Sequence, residues 1–150
     1  MRMKALVGSG DKVMGLTLPF LLAGVAANII WPAAFRLGFG SGGIIAAAAL
    51  LLVGVPLWLI AVVQIIVLVP KKRLITTGPF ALMLHPIYTA VALLVLPGVG
   101  LLLDSWVGFA VGAVLYVSKR IFAPAEERLL EKYFPAEYPA YRAKVLLPWL

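Results

Sequence analysis

The stretch "TTGPFALMLHPIYTA", residues 76–90, holds the only histidine of the chain, His85. Histidine is the side chain that most readily gains or loses a proton near neutral pH. The stretch contains two helix-breaking pairs, Gly78-Pro79 and His85-Pro86. We therefore expect backbone donors and acceptors between the breaks to be free to bind a ligand. Irregular backbone at membrane depth persists only where it is buried in protein or lines a cavity.

Two adjacent carboxylates, Glu126 and Glu127, are the next candidates. They can hold an ammonium group or ribose hydroxyls through charge-assisted bonds, or simply stabilise a helix start as first-turn acids. Arg120 is suited either to clamp a carboxylate or phosphate or to snorkel from the end of a membrane span. Gln64, inside an apolar run, bonds either another helix or a ligand. The chain has one histidine and no cysteine, so it cannot build a histidine-rich or thiolate metal site, and we expect none.

The elements that position these residues must lie in a membrane. The chain is 63% hydrophobic and only 13% charged, whereas soluble domains are about 25% charged. We therefore expect an all-α integral membrane protein that forms one domain over residues 1–150. The net charge of +7 does not indicate nucleic acid, because the basic residues cluster beside apolar runs. This pattern is typical of cytoplasmic helix ends that face anionic lipid headgroups, and some of these residues are alternatively expected to serve an anionic cofactor or substrate. The clustered basic residues are Lys71, Lys72, Arg73, Lys119, Arg120, Arg142 and Lys144.

Four apolar runs predict about four transmembrane helices: Val13–Ile30, Ile44–Val69, Ile87–Leu103 and Trp106–Phe122. The first run has an alternative interpretation as a signal peptide. The third is short and contains Pro97-Gly98, so it is kinked or only just spans. Basic residues flank one side of the four runs, and Arg36 and Asp104 lie on the other. By the positive-inside rule both termini are cytoplasmic.

The C-terminal tail differs from these runs. Pro124 followed by two acids predicts the start of a separate helix. Leu129, Leu130 and Phe134 give that helix an apolar face. We therefore expect an amphipathic cytoplasmic helix, either lying on the membrane surface or folded back over the bundle.

Two motifs together resemble a known family. "LITTGPFALMLHPIYTA" and "EERLLEKYFPAEYPAY" are similar to the signatures of integral membrane methyltransferases related to isoprenylcysteine carboxyl methyltransferase and phospholipid N-methyltransferases. The resemblance covers a motif-bearing core at residues 72–148. It implies methyl transfer from S-adenosylmethionine to a lipophilic small molecule or lipid at the cytoplasmic face, and it suits the inner membrane of a prokaryote.

The resemblance also implies roles for particular residues. Glu126 holds the polar end of the cofactor, and Arg120 positions the substrate, for which Gln64 and Tyr141 are further candidate contacts. The other cofactor-binding candidates are Lys72, Arg73, Leu74, Ile75, Gly78, Phe80, His85, Pro86, Ile87, Tyr88 and Glu127.

The sequence departs from the family pattern at several positions. The family has arginine where this chain has Leu84, and glycine where it has Ala90. Phe80 replaces a tyrosine, and Pro135 replaces a glycine. Two alternatives follow from such departures and from shared features of the tail: a non-catalytic membrane scaffold of the same fold, and a relative of sterol reductases that binds NADPH.

Overall fold

The computed structural model describes residues 10–150, and within this range the chain is α-helical with no β-strand. Two short segments depart from α geometry, a 3₁₀ turn at Val69–Lys71 and a π-helical segment at Val91–Val95. The α-helices are α1 (Gly10–Ile30), α2 (Pro32–Phe35), α3 (Gly40–Leu68), α4 (Pro79–Leu82), α5 (Pro86–Ala90), α6 (Leu96–Leu102), α7 (Val107–Tyr133) and α8 (Glu137–Arg142).

Three helices are long and apolar enough to cross a membrane: Gly10–Ile30, Gly40–Lys71 and Val107–Tyr133. Much of their apolar surface faces outward, as lipid contact requires. The chain is therefore an integral membrane protein. The predicted third span is the shorter apolar segment Pro86–Leu102, which extends roughly 25 Å at about 1.5 Å per residue. Because the hydrocarbon core is about 30 Å thick, a count of four full spans is not confirmed.

The segment α5–α6 lies at the centre of the bundle. It packs against both α3 and α7, and α1 packs mainly against α7. The π-helical segment interrupts its regular α geometry, and Pro97 lies in the first turn that follows. Close approach to α7 depends on glycine, because a Cβ at Gly112 would strike the carbonyl oxygen of Ala92.

One end of the bundle, which we call the Asp104 end, is closed by paired polar groups. Arg36 Nε donates to Asp104 Oδ2 at 2.8 Å, and the backbone N–H of Gly38 donates to Asp104 Oδ1 at 2.8 Å. Ser105 Oγ donates to Asn28 Oδ1, also at 2.8 Å. Arg36 and Asp104 thus lie together, away from the basic clusters, as the charge pattern indicated.

The predicted helix start at Pro124 is wrong. Pro124 lies inside α7, which runs without a break from Val107 to Tyr133. Proline removes one backbone hydrogen bond and crowds the preceding turn. Burial outweighs this local penalty, because the buried face that includes Leu115, Lys119 and Ala123 continues directly into the turn that carries the two acids.

The tail folds back over the bundle. Tyr141 in α8 donates its hydroxyl hydrogen to the carbonyl oxygen of Phe80 at 2.7 Å. Further along, the backbone N–H groups of Leu146 and Leu147 donate to the carbonyls of residues 81 and 82 at 3.2 and 2.8 Å. The second of the two predicted tail placements is therefore the observed one. These contacts occupy the carbonyl groups of residues 80, 81 and 82, so the expectation that the backbone between the two breaks is free for a ligand is wrong for these groups.

Candidate functional site

His85 lies in a break between two short helices and is only 6% exposed. Gly78 adopts a left-handed φ of 60°, which glycine tolerates, and Pro79 then opens α4. That helix ends at Leu82, and His85 precedes Pro86, which opens α5. The two proline-started turns fix an irregular backbone that holds the imidazole inside the protein.

Glu127 connects the two sequence motifs. Its Oε1 lies 3.3 Å from Nε2 of His85, and its Oε2 lies 3.3 Å from Nη1 of Arg142. The carboxylate therefore bridges the histidine of the α4–α5 break and an arginine of α8. Such charge-assisted contacts are stronger than neutral hydrogen bonds and set the orientation of the ring.

These residues form part of the wall of a cavity of about 530 Å³, which we call the polar cavity. Its size falls within the range of small-molecule sites, about 300–1,000 Å³. Both signs of charge line it, with cations in excess. Besides His85, its charged residues are Lys119, Arg120, Arg128, Arg142, Glu127 and Glu131.

Lys119 is the most deeply buried cation of this wall, with 2% of its surface exposed. Its Nζ lies 3.5 Å from Thr89 Oγ1 and 5.0 Å from the centre of the Tyr116 ring. The sequence interpretation that placed it among headgroup-facing cations is wrong for this residue. A buried ammonium strongly favours an anionic partner, and the adjoining cavity offers room for one.

Two smaller cavities lie on the apolar side of His85. The aromatic cavity, about 60 Å³, is lined by Phe80, Leu84, Phe134, Tyr138 and Tyr141 together with Ile65, Val69, Arg73, Leu74, Ile75, His85, Glu126 and Leu130. The side cavity, about 180 Å³, is lined by Gly10, Ile65, Phe80, Leu84, His85, Pro86, Ile87, Tyr88 and Glu126. His85 lines all three cavities, whereas Glu126 lines only the two apolar ones.

Tyr138 and Tyr141 stand side by side in α8, with ring centres 6.1 Å apart. Burial raises the pKa of both hydroxyls well above the ordinary value, so both remain protonated and able to donate. Tyr141 donates to Phe80, as described. The Tyr138 hydroxyl has no hydrogen-bond partner within residues 10–150.

Most of the residues predicted from sequence meet at these cavities. Arg73, Leu74, Ile75, Phe80 and Tyr141 line the aromatic cavity; Pro86, Ile87 and Tyr88 line the side cavity; Arg120 and Glu127 line the polar cavity.

Lys72, Gly78 and Gln64 contribute to none of the three walls. Lys72 caps the 3₁₀ turn in a left-handed conformation, and Gln64 Nε2 donates to the carbonyl oxygen and Oγ1 of Thr77, both at 3.2 Å.

Sequence reasoning missed several wall residues: Lys119, Arg128, Glu131, Arg142 and Trp149. A signal existed for two of them, because Arg128 and Glu131 share one helical face with Arg120 and Glu127 at spacings of three, four and seven. No local signal existed for Trp149. Its carbonyl accepts from Arg120 Nη1 at 3.1 Å through a contact 29 residues apart in the chain.

Within residues 10–150, no three His, Cys, Asp or Glu side chains lie close enough to hold a metal ion.

The comparisons with known proteins gave one result. No curated protein and no solved structure is significantly similar to the chain. A family model described as phospholipid methyltransferase matches residues 39–137, which is well over half of the chain and includes the histidine break and all of α7. This match confirms the resemblance to integral membrane methyltransferases: the chain belongs to the phospholipid methyltransferase family.

Proposed function

We propose that this protein transfers a methyl group from S-adenosylmethionine to a lipophilic small molecule or lipid at the cytoplasmic membrane face. The observation that carries this proposal is the junction at His85. There a charged cavity that suits a zwitterionic cofactor adjoins apolar cavities that suit a base and a lipophilic acceptor. Membership of the phospholipid methyltransferase family supports the reaction type.

The donor set of the polar cavity fits the amino-acid end of this cofactor. That end carries a carboxylate and an ammonium group. Lys119, Arg120 and Arg128 can hold the carboxylate, and Glu127 or Glu131 the ammonium. The buried position of Lys119 favours it among the cations, because it gains most from an anionic partner. When bound, the cofactor supplies a methyl group that is already activated for transfer.

The residues of the chain mainly position the reactants and shield them from water. Glu127 fixes the imidazole of His85 through the 3.3 Å contact, so we assign His85 to the cofactor pocket rather than to proton abstraction. Glu126 lines both apolar cavities, so we assign it to the ribose hydroxyls of the cofactor rather than to its charged end. Orientation of the reactants accounts for most of the rate when the electrophile is activated.

The acceptor approaches through the side cavity. Its wall combines α3, α5 and the start of α1, which are elements of the lipid-facing bundle. A carboxylate or thiolate acceptor needs no base for methyl transfer, whereas an amine must first be neutral. Gln64 and Tyr141 stay candidate substrate contacts, although both side chains already bond the protein backbone.

The charge distribution supports the cytoplasmic placement of this site. The basic residues of the 3₁₀ turn, the second half of α7 and α8 gather at the His85 end of the bundle. By the positive-inside rule this end faces the cytoplasm, where a soluble cofactor is present. In the inner membrane of a prokaryote both termini of this single domain then lie on the cytoplasmic side.

Calorimetry of the purified protein with S-adenosylhomocysteine tests the cofactor assignment. We expect binding by the intact protein and a loss of at least tenfold in affinity for Glu126→Ala. Glu137→Ala, at an exposed site in α8, is the matched control and should bind normally. Absence of binding by the intact protein would overturn the proposal.

The acceptor is identified by incubating the protein with methyl-labelled cofactor and a membrane lipid extract, followed by mass spectrometry. We expect a labelled product whose formation depends on Glu126. Cofactor binding without any label transfer would favour the non-catalytic scaffold, and binding of NADPH in place of S-adenosylhomocysteine would favour the reductase alternative.

A further inference from the structure

Residues 145–150, which we call the strap, join two elements of the site. The backbone N–H groups of Leu146 and Leu147 donate to carbonyl oxygens of α4. Two positions later, the carbonyl oxygen of Trp149 accepts hydrogen bonds from two side chains of α7. Because Pro148 and Trp149 line the polar cavity, the strap is the part of the cavity wall that connects α4 with α7.

The two ends of the strap are held differently. At the α4 end, Val145 is 7% exposed and belongs to a buried cluster with Leu84 and Tyr141, and the bonds that follow it are made by the main chain. At the α7 end, Trp149 is 58% exposed, so burial contributes little to holding it. Attachment at this end therefore depends on one carbonyl oxygen and the side chains that donate to it.

The two donors at the α7 end are Tyr116 and Arg120. The Tyr116 hydroxyl lies 3.4 Å and Arg120 Nη1 lies 3.1 Å from the Trp149 carbonyl oxygen. The two residues are four positions apart, so they share one face of α7 and reach the same atom. Single hydrogen bonds contribute only modestly to net stability. The α7 end is therefore the end of the strap that opens more readily.

We propose that Tyr116 and Arg120 are positioning residues that clamp the strap as the closing wall of the polar cavity and thereby set the rate at which the methyl donor enters and leaves. The inference rests on the proposed function and deepens it, because it assigns a gate to the same site. Arg120 lines the cavity, whereas Tyr116 does not. A guanidinium has five donors, so Arg120 can hold the strap and also face the ligand. The Tyr116 hydroxyl can affect the ligand only through the strap.

Tyr116→Phe is therefore the key variant, since it removes one donor and keeps the ring that lies 5.0 Å from Lys119 Nζ. Tyr133→Phe is the matched control, because Tyr133 ends the same helix and lines none of the three cavities. Surface plasmon resonance with S-adenosylhomocysteine on the immobilised full-length protein in detergent gives kon, koff and Kd. Thermal unfolding of the ligand-free protein gives Tm.

For Tyr116→Phe we expect kon and koff each to rise about threefold, with Kd and Tm nearly unchanged. The reason is that a gate that opens more often speeds passage in both directions. Arg120→Gln removes the shorter of the two bonds, so it should raise koff about tenfold and raise kon as well. Tyr133→Phe should leave both rates unchanged.

Unchanged rates for Tyr116→Phe would overturn the inference while leaving the proposed function intact. A higher koff with an unchanged kon would also overturn it, since the strap would then contact the bound ligand rather than gate its passage. A marked fall in Tm for Tyr116→Phe would equally contradict it, because the hydroxyl would then serve the fold. Failure of the unmodified protein to bind S-adenosylhomocysteine would instead overturn the proposed function itself.

Discussion

The two ends of the bundle treat their polar groups in opposite ways. At the Asp104 end, the charged and hydroxyl groups pair with one another, as in the 2.8 Å contacts of Asp104 with Arg36 and of Ser105 with Asn28. At the His85 end, the Tyr138 hydroxyl and the Gln64 Oε1 atom are buried without partners in the described residues. The polar groups of the Asp104 end are therefore committed to closing the fold, whereas those of the His85 end are only partly committed to it.

The two ends of the bundle also differ in the balance of positive and negative charges. At the Asp104 end one arginine and one aspartate form a single pair. The polar cavity at the His85 end gathers four lysine and arginine side chains against two glutamates. An excess of cations around a cavity is unfavourable unless an anion enters it, so this imbalance is consistent with a ligand that carries a carboxylate.

The largest expected effect comes from disturbing the close packing of the central α5–α6 segment against α7. Gly112→Ala places a methyl group against the carbonyl oxygen of Ala92 and forces α5–α6 away from α7. We expect the free energy of unfolding to fall by about 3 kcal/mol, measured by thermal or denaturant unfolding in detergent.

The matched control is Gly15→Ala in α1, where an added Cβ would meet nothing within 4 Å. Alanine favours a helix over glycine by up to about 1 kcal/mol, so the control should be neutral or slightly stabilising. Equal losses of stability for both variants would contradict the close contact between the π-helical segment and α7.

The next test asks whether the contacts of Glu127 with His85 and Arg142 serve function rather than stability. Glu127→Gln removes the charge that bridges His85 and Arg142. Losing a charge-assisted contact should lower kcat/KM by about 10- to 100-fold, with little change in Tm. Methyl transfer is compared with that of Glu137→Gln in the exposed first turn of α8. Normal turnover by Glu127→Gln would contradict this, because the contact would then serve the structure, as the pairs at the Asp104 end do.

The smallest effect is expected at the Asp104 end and depends on pH. The hydrogen bond from Arg36 is the main reason that the pKa of Asp104 lies below its ordinary value of 3.8. A lowered folded-state pKa contributes stability above the ordinary pKa, and this contribution is lost as the pH falls through the folded-state value. Asp104→Asn should therefore lower Tm slightly at pH 7, and the difference should vanish in acid.

The asparagine variant suits this test because Asp104 adopts a left-handed φ of 50°, which asparagine also tolerates. Methyl transfer at pH 7 should be unchanged, since Asp104 lies far from His85 along the bundle. A loss of activity without a change in Tm would break the distinction between the two ends.

Much of this arrangement was accessible from the sequence because it depends on local patterns. The apolar runs predicted the long helices, and the Gly-Pro and His-Pro pairs predicted the break around His85. Pro97 and the short third run predicted the interrupted central segment. These features follow from residue type and nearest neighbours, which is the information that a single sequence carries.

Other features depended on contacts between distant segments. Lys119 is buried because α5 and the cavity wall lie beside it, although its position after an apolar run suggested a lipid headgroup. Pro124 signalled a helix start, but the continuing buried face of α7 outweighed that local signal. The closing contacts of Trp149 and Tyr141 join residues 29 and 61 positions apart, and no local pattern specifies them.

Glu126 and Glu127 are neighbours in the chain yet face different cavities, the apolar pair and the polar one respectively. One residue step along the helix thus separates the two carboxylates by about 100° of rotation. On the proposed function, Glu126 holds the ribose of the cofactor and Glu127 orients His85 beside its charged end, so both neighbours serve the methyl donor. Evolution can therefore diversify substrate choice within this fold through other residues of the side cavity, such as Ile65, without rebuilding the methyl-donor site.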